Sequence, residues 1–166
     1  MAAIRACARW AAACDEARAA GARVLLPAGI DETLSAKGPY VPPTIVTELS
    51  SDHPLARREL FLPWVTVHAV DDFDQALAHA SAGQYGLTAG LYSRKPDEIE
   101  RFEESMEAGV LYVNRPSGAT TGAWPGHQTF GGWKMSGTTG KNSFGSHYLQ
   151  LFGREKSMTL HKEPNQ

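Results

Sequence analysis

The chain of 166 residues is 42% hydrophobic and 20% charged, with a formal net charge of −2. That is the composition of about one soluble globular domain, and the near-neutral balance without basic clusters argues against a nucleic-acid surface. No apolar run approaches the roughly 20 residues of a bilayer span, and the N-terminus lacks the apolar stretch of a secretory signal, so a cytoplasmic protein is expected. Residues 2–20 are Ala-rich and predict a helix with Ile4, Cys7, Ala11 and Cys14 on one face and Gly21 as its stop. Two turns of helix hold Cys7 and Cys14 roughly 10 Å apart, too far for a disulfide, so both read as small apolar groups. Val24–Leu26 and Thr44–Thr47 predict short strands, joined by a Pro- and Gly-rich connection over 27–43.

Trp64–Val70 is a β-rich run, followed by Asp71 and Asp72 as a helix N-cap. The helix runs through Ala82 with Phe73, Ala76, Leu77 and Ala80 as its stripe, and Gly83 ends it. Leu87–Ser93 predicts a strand. Pro96 suits the first turn of a helix to Glu107 with Ile99, Phe102 and Met106 inward, and Val110–Asn114 predicts a further strand. This strand–helix alternation with short connections predicts parallel crossovers and an α/β fold. Residues 146–160 read as an extended arm and 161–166 as a polar tail; an edge strand of this kind needs a partner.

The segment Thr120–Lys141 holds Gly122, Gly126, Gly131, Gly132, Gly137 and Gly140, with Trp124, His127 and Phe130 between them. Glycine lets main-chain N–H groups approach a ligand, and the segment leaves the carboxyl end of a strand, where α/β sheets place their ligands. GTTGKN at 137–142 is not a phosphate-binding P-loop, because no Gly stands five residues before Gly140 and Asn142 replaces Ser or Thr. No G-x-G-x-x-G follows a strand, and the six histidines lack metal-ligand spacing. His127 reads as a loop side chain.

Four stretches carry a family resemblance in one order. GHQTFGGWKMSG resembles the aldehyde dehydrogenase motif GxQPFGGxKxSG, and RRELFLPWVTV (57–67) resembles that family's EE(I/L)FGPVxxV segment. YGLTAGLYSR (85–94) and EAGVLYVNR (107–115) resemble its YGLxAG and xAGxVxVN strands. TGAWPGHQTFGG (121–132) is most similar to the anchor loop of the 1-pyrroline-5-carboxylate, or L-glutamate γ-semialdehyde, dehydrogenases.

The resemblance implies the C-terminal part of the catalytic domain over residues 1–145 and an oligomerisation arm over 146–166, which would make the enzyme a homo-oligomer. It implies NAD as cofactor; the residues that distinguish it from NADP belong to an upstream domain. Glu59 would accept hydrogen bonds from the nicotinamide ribose hydroxyls, since a carboxylate can take both of a vicinal diol. Phe61 would pack by the nicotinamide. Without the resemblance, Glu59 would read as a solvated loop charge. Gly122 and Ala123 match the positions whose N–H groups hold the substrate α-carboxylate, with Gly118–Ala119 as a competing pair, and Phe130 matches an aromatic lining the aldehyde tunnel. Leu62 and Thr129 stand where the family has Gly and Pro.

The family's nucleophilic Cys, its oxyanion Asn and its base Glu all lie upstream of the matched motifs, so no residue of this chain is assigned a catalytic role. The implied reaction is oxidation of glutamate γ-semialdehyde to glutamate by a longer enzyme, this chain alone being inactive. Two alternatives stay open: a dehydrogenase for another semialdehyde or aliphatic aldehyde, and a non-catalytic product that docks into a full-length oligomer.

Overall fold

The computed structural model describes residues 2–26, 38–116, 128–137 and 142–161. The chain divides into two compact units, residues 1–79 and 80–166.

In the first unit, helix α1 (Ala2–Ala19) packs on a three-stranded sheet in the order β1 (Arg23–Leu25), β2 (Thr44–Thr47), β3 (Trp64–Thr66). The helix ends as the sequence predicts. Gly21 takes φ +80°, Ala22 N–H donates to Ala17 O and Gly21 N–H to Arg18 O, both at 3.0 Å. This 6→1 and 5→2 pair is the Schellman arrangement, and it needs a left-handed residue at that point. The buried face differs from the expected one. Ile4 is 69% exposed and Ala11 is exposed, while Ala13, Cys14 and Ala17 are buried. Alanine at two of these positions lets the helix axis approach the sheet closely, and Trp10 reaches over to donate from Nε1 to Thr44 Oγ1 at 2.8 Å.

β1 runs antiparallel to β2, with Val24 opposite Val46; β3 runs parallel to β2, with Thr66 opposite Val46. The alternation along β2 turns Thr44 and Val46 inward and Ile45 outward, as a half-buried strand requires. Val46 is fully buried in a core with Ala13, Ala17, Leu49, Leu55 and Leu60. β1 lies one residue earlier than expected, and the run to Val70 is a strand only to Thr66, with Val67 N–H adding one more bond to Val46 O. A four-residue helix, α2 (Pro54–Arg57), was not foreseen. His53 caps it by accepting from Leu55 N–H at Nδ1.

Helix α3 (Phe73–Ser81) begins at the expected cap. Asp72 accepts from Gln75 N–H at 2.8 Å while Gln75 Oε1 accepts from Asp71 N–H at 2.9 Å, two orphan donors satisfied reciprocally. Phe73, Ala76 and Leu77 of its stripe are half-buried and Ala80 is exposed.

In the second unit, β5 (Thr88–Leu91) and β6 (Val110–Val113) pair in parallel, with helix α4 (Pro96–Ser105) between them in sequence. Pro96 occupies the first turn of α4, and Phe102 and Met106 are buried with Ala108 and Val110. β4 (Tyr85–Gly86) pairs antiparallel with β7 (Trp133–Lys134). The parallel pairs lie one in each unit: β3 with β2, and β5 with β6. The α/β class holds, with parallel pairs in each unit. Residues 146–160 are not uniformly extended. Tyr148–Phe152 form a 3₁₀ helix in which Tyr148 meets Phe144 at 6.4 Å and Phe152 edge-on at 5.3 Å; 153–161 are exposed and without regular structure.

Candidate functional site

Residues 59–62 show how a short loop can present two side chains and bury two others. Leu60 is buried and Leu62 packs against the core of the first unit, while Glu59 is exposed and Phe61 is 79% exposed. Phe61 takes φ +52°, an uncommon conformation for a bulky residue that persists where its surroundings hold it. Here the flanking leucines and the bond from Thr44 N–H to Pro63 O at 2.8 Å do the holding. Leu62, in the place of the family's Gly, directs its side chain to the core and has no positive φ.

Glu59 and Phe61 line one groove of about 510 Å³, with Arg58, Trp64, Val65 and His68 among its walls. The structure therefore brings the two cofactor-site candidates together. An exposed carboxylate beside an upturned aromatic ring suits a ligand with neighbouring hydroxyls and a flat ring: the oxygens accept, and the ring offers a packing face.

Phe130, in the second unit, is half-buried, and its main chain is doubly bridged to Ser143 at 2.9 Å in each direction. Thr129 stands in the place of the family's Pro, and its Oγ1 accepts from Asn142 Nδ2 at 3.4 Å. Behind Phe130 the backbone is packed tightly, since a Cβ on Gly109 would overlap the Gly131 carbonyl. Gly122, Ala123, the competing Gly118–Ala119 pair and His127 lie outside the described residues.

Lys134 is a functional candidate that the sequence reading passed over. At φ +53° it sends Nζ to Ser81 O, to Gly83 O at 3.2 Å and to Glu107 Oε2 at 2.6 Å. It ties β7 to the end of α3 and to Glu107 in the turn before β6; its place in GGWKMSG was the available signal.

Cys14 is buried in α1, and burial pushes its thiol above the ordinary range, only partly offset by Arg18. Cys7 is half-buried and both thiols are free. Among the described residues no group of three His, Cys, Asp or Glu side chains could hold a metal ion, and no helix is long and apolar enough to cross a membrane.

The aldehyde dehydrogenase sequence profile matches residues 1–158. The chain belongs to the aldehyde dehydrogenase family. It is 42% identical over 121 residues to the 1-pyrroline-5-carboxylate dehydrogenase of Bacillus thuringiensis, covering 73% of this chain and 23% of the relative, so the aldehyde dehydrogenase chain described here spans about a quarter of that protein. A Thermus 1-pyrroline-5-carboxylate dehydrogenase solved with bound NAD superposes with a TM-score of 0.64 at 41% identity, over 70% of this chain and 22% of that one. Proline utilization A from Bdellovibrio bacteriovorus gives 0.76 at 36% identity, over 89% and 14%.

Proposed function

We propose that this chain supplies part of the cofactor and substrate sites of an NAD-dependent dehydrogenase that oxidises L-glutamate γ-semialdehyde to L-glutamate, in the breakdown of proline or arginine. The observation that carries the reading is the loop 59–62, which holds Glu59 and the strained, exposed Phe61 on one groove by burying Leu60 and packing Leu62 against the core. Those residues fit the ribose and the nicotinamide ring, respectively. NAD, when bound, would supply the hydride acceptor; Glu59 would hold its ribose through the hydroxyls, and Phe61 would pack against the nicotinamide ring.

On the substrate side, the N–H groups of Gly122 and Ala123 bind the α-carboxylate. Charge-assisted bonds of this kind contribute roughly 1.5–3 kcal/mol each, enough to prefer an amino-acid aldehyde over an alkyl one. Phe130 lines the path of the aliphatic chain. Residues 1–145 form the catalytic-domain portion and 146–166 the arm that joins a neighbouring subunit in a homo-oligomer. Neither Cys7 nor Cys14 is the nucleophile: both sit on α1 ahead of the first site motif, and Cys14 is buried there. The nucleophile and base come from the rest of the enzyme, so the isolated chain does not turn over.

The test is a substitution in a complete enzyme carrying this segment. Gly122→Val should lower kcat/KM for glutamate γ-semialdehyde on the order of a hundredfold, the equivalent of roughly 3 kcal/mol of lost anchoring, and lower it far less for propanal. Equal losses for the two aldehydes would refute the anchor.

A further inference from the structure

We infer that Arg58 is a positioning residue for the cofactor loop: its ion pair with Glu16 of α1 fixes the start of residues 59–62, so that Glu59 and Phe61 face the groove. The inference rests on the reading of Glu59 and Phe61 given above.

The loop alternates. Arg58 leaves α2 in an extended conformation, φ −85° and ψ 131°, and in extended chain successive side chains point to opposite sides. Its Nη2 donates to Glu16 Oε2 at 3.3 Å, across 42 positions of sequence. Leu60, two residues on, is buried in the cluster that holds Ala13 and Ala17 of α1, and Leu62 packs against the same cluster. Glu59 and Phe61, the residues between, are exposed on the groove. Positions 58, 60 and 62 hold; positions 59 and 61 present.

Glu16 is placed for this grip. It stands three residues after Ala13 and one before Ala17, half-buried at the rim of the face that receives Leu60. The ion pair and the leucine therefore seize α1 at neighbouring points. They do so differently: burial of Leu60 is non-directional and sets depth, whereas a hydrogen-bonded guanidinium sets direction. Among the described residues, the bond to Glu16 is the only side-chain hydrogen bond made by residues 58–62. The main chain completes the frame. Arg58 N–H donates to Pro54 O at 2.8 Å, Trp64 N–H to Leu62 O at 2.8 Å and Thr44 N–H to Pro63 O at 2.8 Å.

The tie belongs to this chain. The family's EE(I/L)FGP places a Glu at position 58, and a carboxylate there would repel Glu16. Both partners are partly exposed, at 53% and 40%, so water and salt screen the pair, and its loss costs several-fold in binding rather than abolishing it.

The test is made in a complete enzyme carrying this segment, by titration with NAD. Arg58→Glu and Glu16→Arg should each raise KM for NAD about threefold to fivefold at low ionic strength and leave kcat within about twofold. The double swap, which rebuilds the pair with its charges exchanged, should return KM to the parent value. An Arg58 that touched the cofactor itself would not be rescued in this way. Losses that simply add in the double variant would overturn the inference.

Amide exchange on the 166-residue chain reads the same tie without cofactor. Glu16→Arg should speed exchange at Arg58 and Trp64 and leave β5 unchanged, and the double swap should restore it at Trp64; unaltered exchange at both in Glu16→Arg would also overturn the inference. Glu59→Gln separates this from the reading beneath it. An unchanged KM for NAD in Glu59→Gln defeats the ribose contact, and exchange at Arg58 and Trp64 then still decides whether the ion pair positions the loop.

Discussion

Cys7 and Cys14 sit two helical turns apart on α1 and differ in burial, which governs a thiol's access. Cys14 is buried, and desolvation raises its pKa, so little thiolate exists at neutral pH; Cys7 is half-buried. Alkylation with iodoacetamide at pH 8, followed by peptide mass spectrometry, should modify Cys7 at least about tenfold faster than Cys14. Comparable rates would mean that α1 does not keep Cys14 in the core. Glu98 offers a second test at the same scale. Lys95, bonded to it at 2.8 Å, and Ser93 hold its carboxyl below the usual range, and Lys95 is raised in return. A depressed folded-state pKa contributes stability above the unfolded value that is lost as pH falls through the folded one. The raised Lys95 contributes below its unfolded value and loses that contribution as pH rises through its folded one, well into the alkaline range. Glu98→Gln should therefore narrow the gap in melting temperature between pH 7 and pH 3, and an identical acid dependence in the two proteins would exclude the pair from stabilisation.

Two helix ends set the element scale. Gly21→Ala places a Cβ in the left-handed region and should cost about 1 kcal/mol, and Asp72→Ala removes a cap and should cost about the same, both read from urea unfolding. These ends were legible because capping is local chemistry: a Gly, or an Asp followed three residues later by Gln, states its own geometry. The buried face of α1 was not legible. Its inward residues are Ala13 and Ala17, too small to stand out beside Ile4, and only the closeness of the sheet makes them core. Thr44–Thr47 was readable to the residue because all four residues are β-branched and suit a pleated strand, although their burial, with Thr44 and Val46 inside and Ile45 outside, does not follow polarity. Helix α2 is a single turn, shorter than any periodicity, and the turn at Tyr148–Phe152 is set by aromatic packing among Phe144, Tyr148 and Phe152 that no strand pattern announces.

For the molecule as a whole, motif order carried the family. Glu59, Phe61 and Phe130 were named from ELF and TFGG, and the first two do share a groove; Arg58 and Lys134 were passed over because the groups they bond are distant in sequence. Ile45, Val65 and Val67 on the sheet, and Leu149, Phe152, Met158 and Leu160 toward the C-terminus, are all substantially exposed. Exposed apolar groups in such number favour association. The isolated chain should elute above its 18.0 kDa mass in light-scattering chromatography, and Leu149→Ser with Phe152→Ser should shift it toward monomer. A parent chain that is already monomeric over a tenfold concentration range would count against the arm as a contact surface.

The contact between Gly109 and Gly131 has a consequence for engineering. Where main chain rests directly on main chain, no rotamer can absorb a change, so this contact behaves as fixed tooling rather than as a packed core: any side chain introduced at position 109 would have to push two backbones apart.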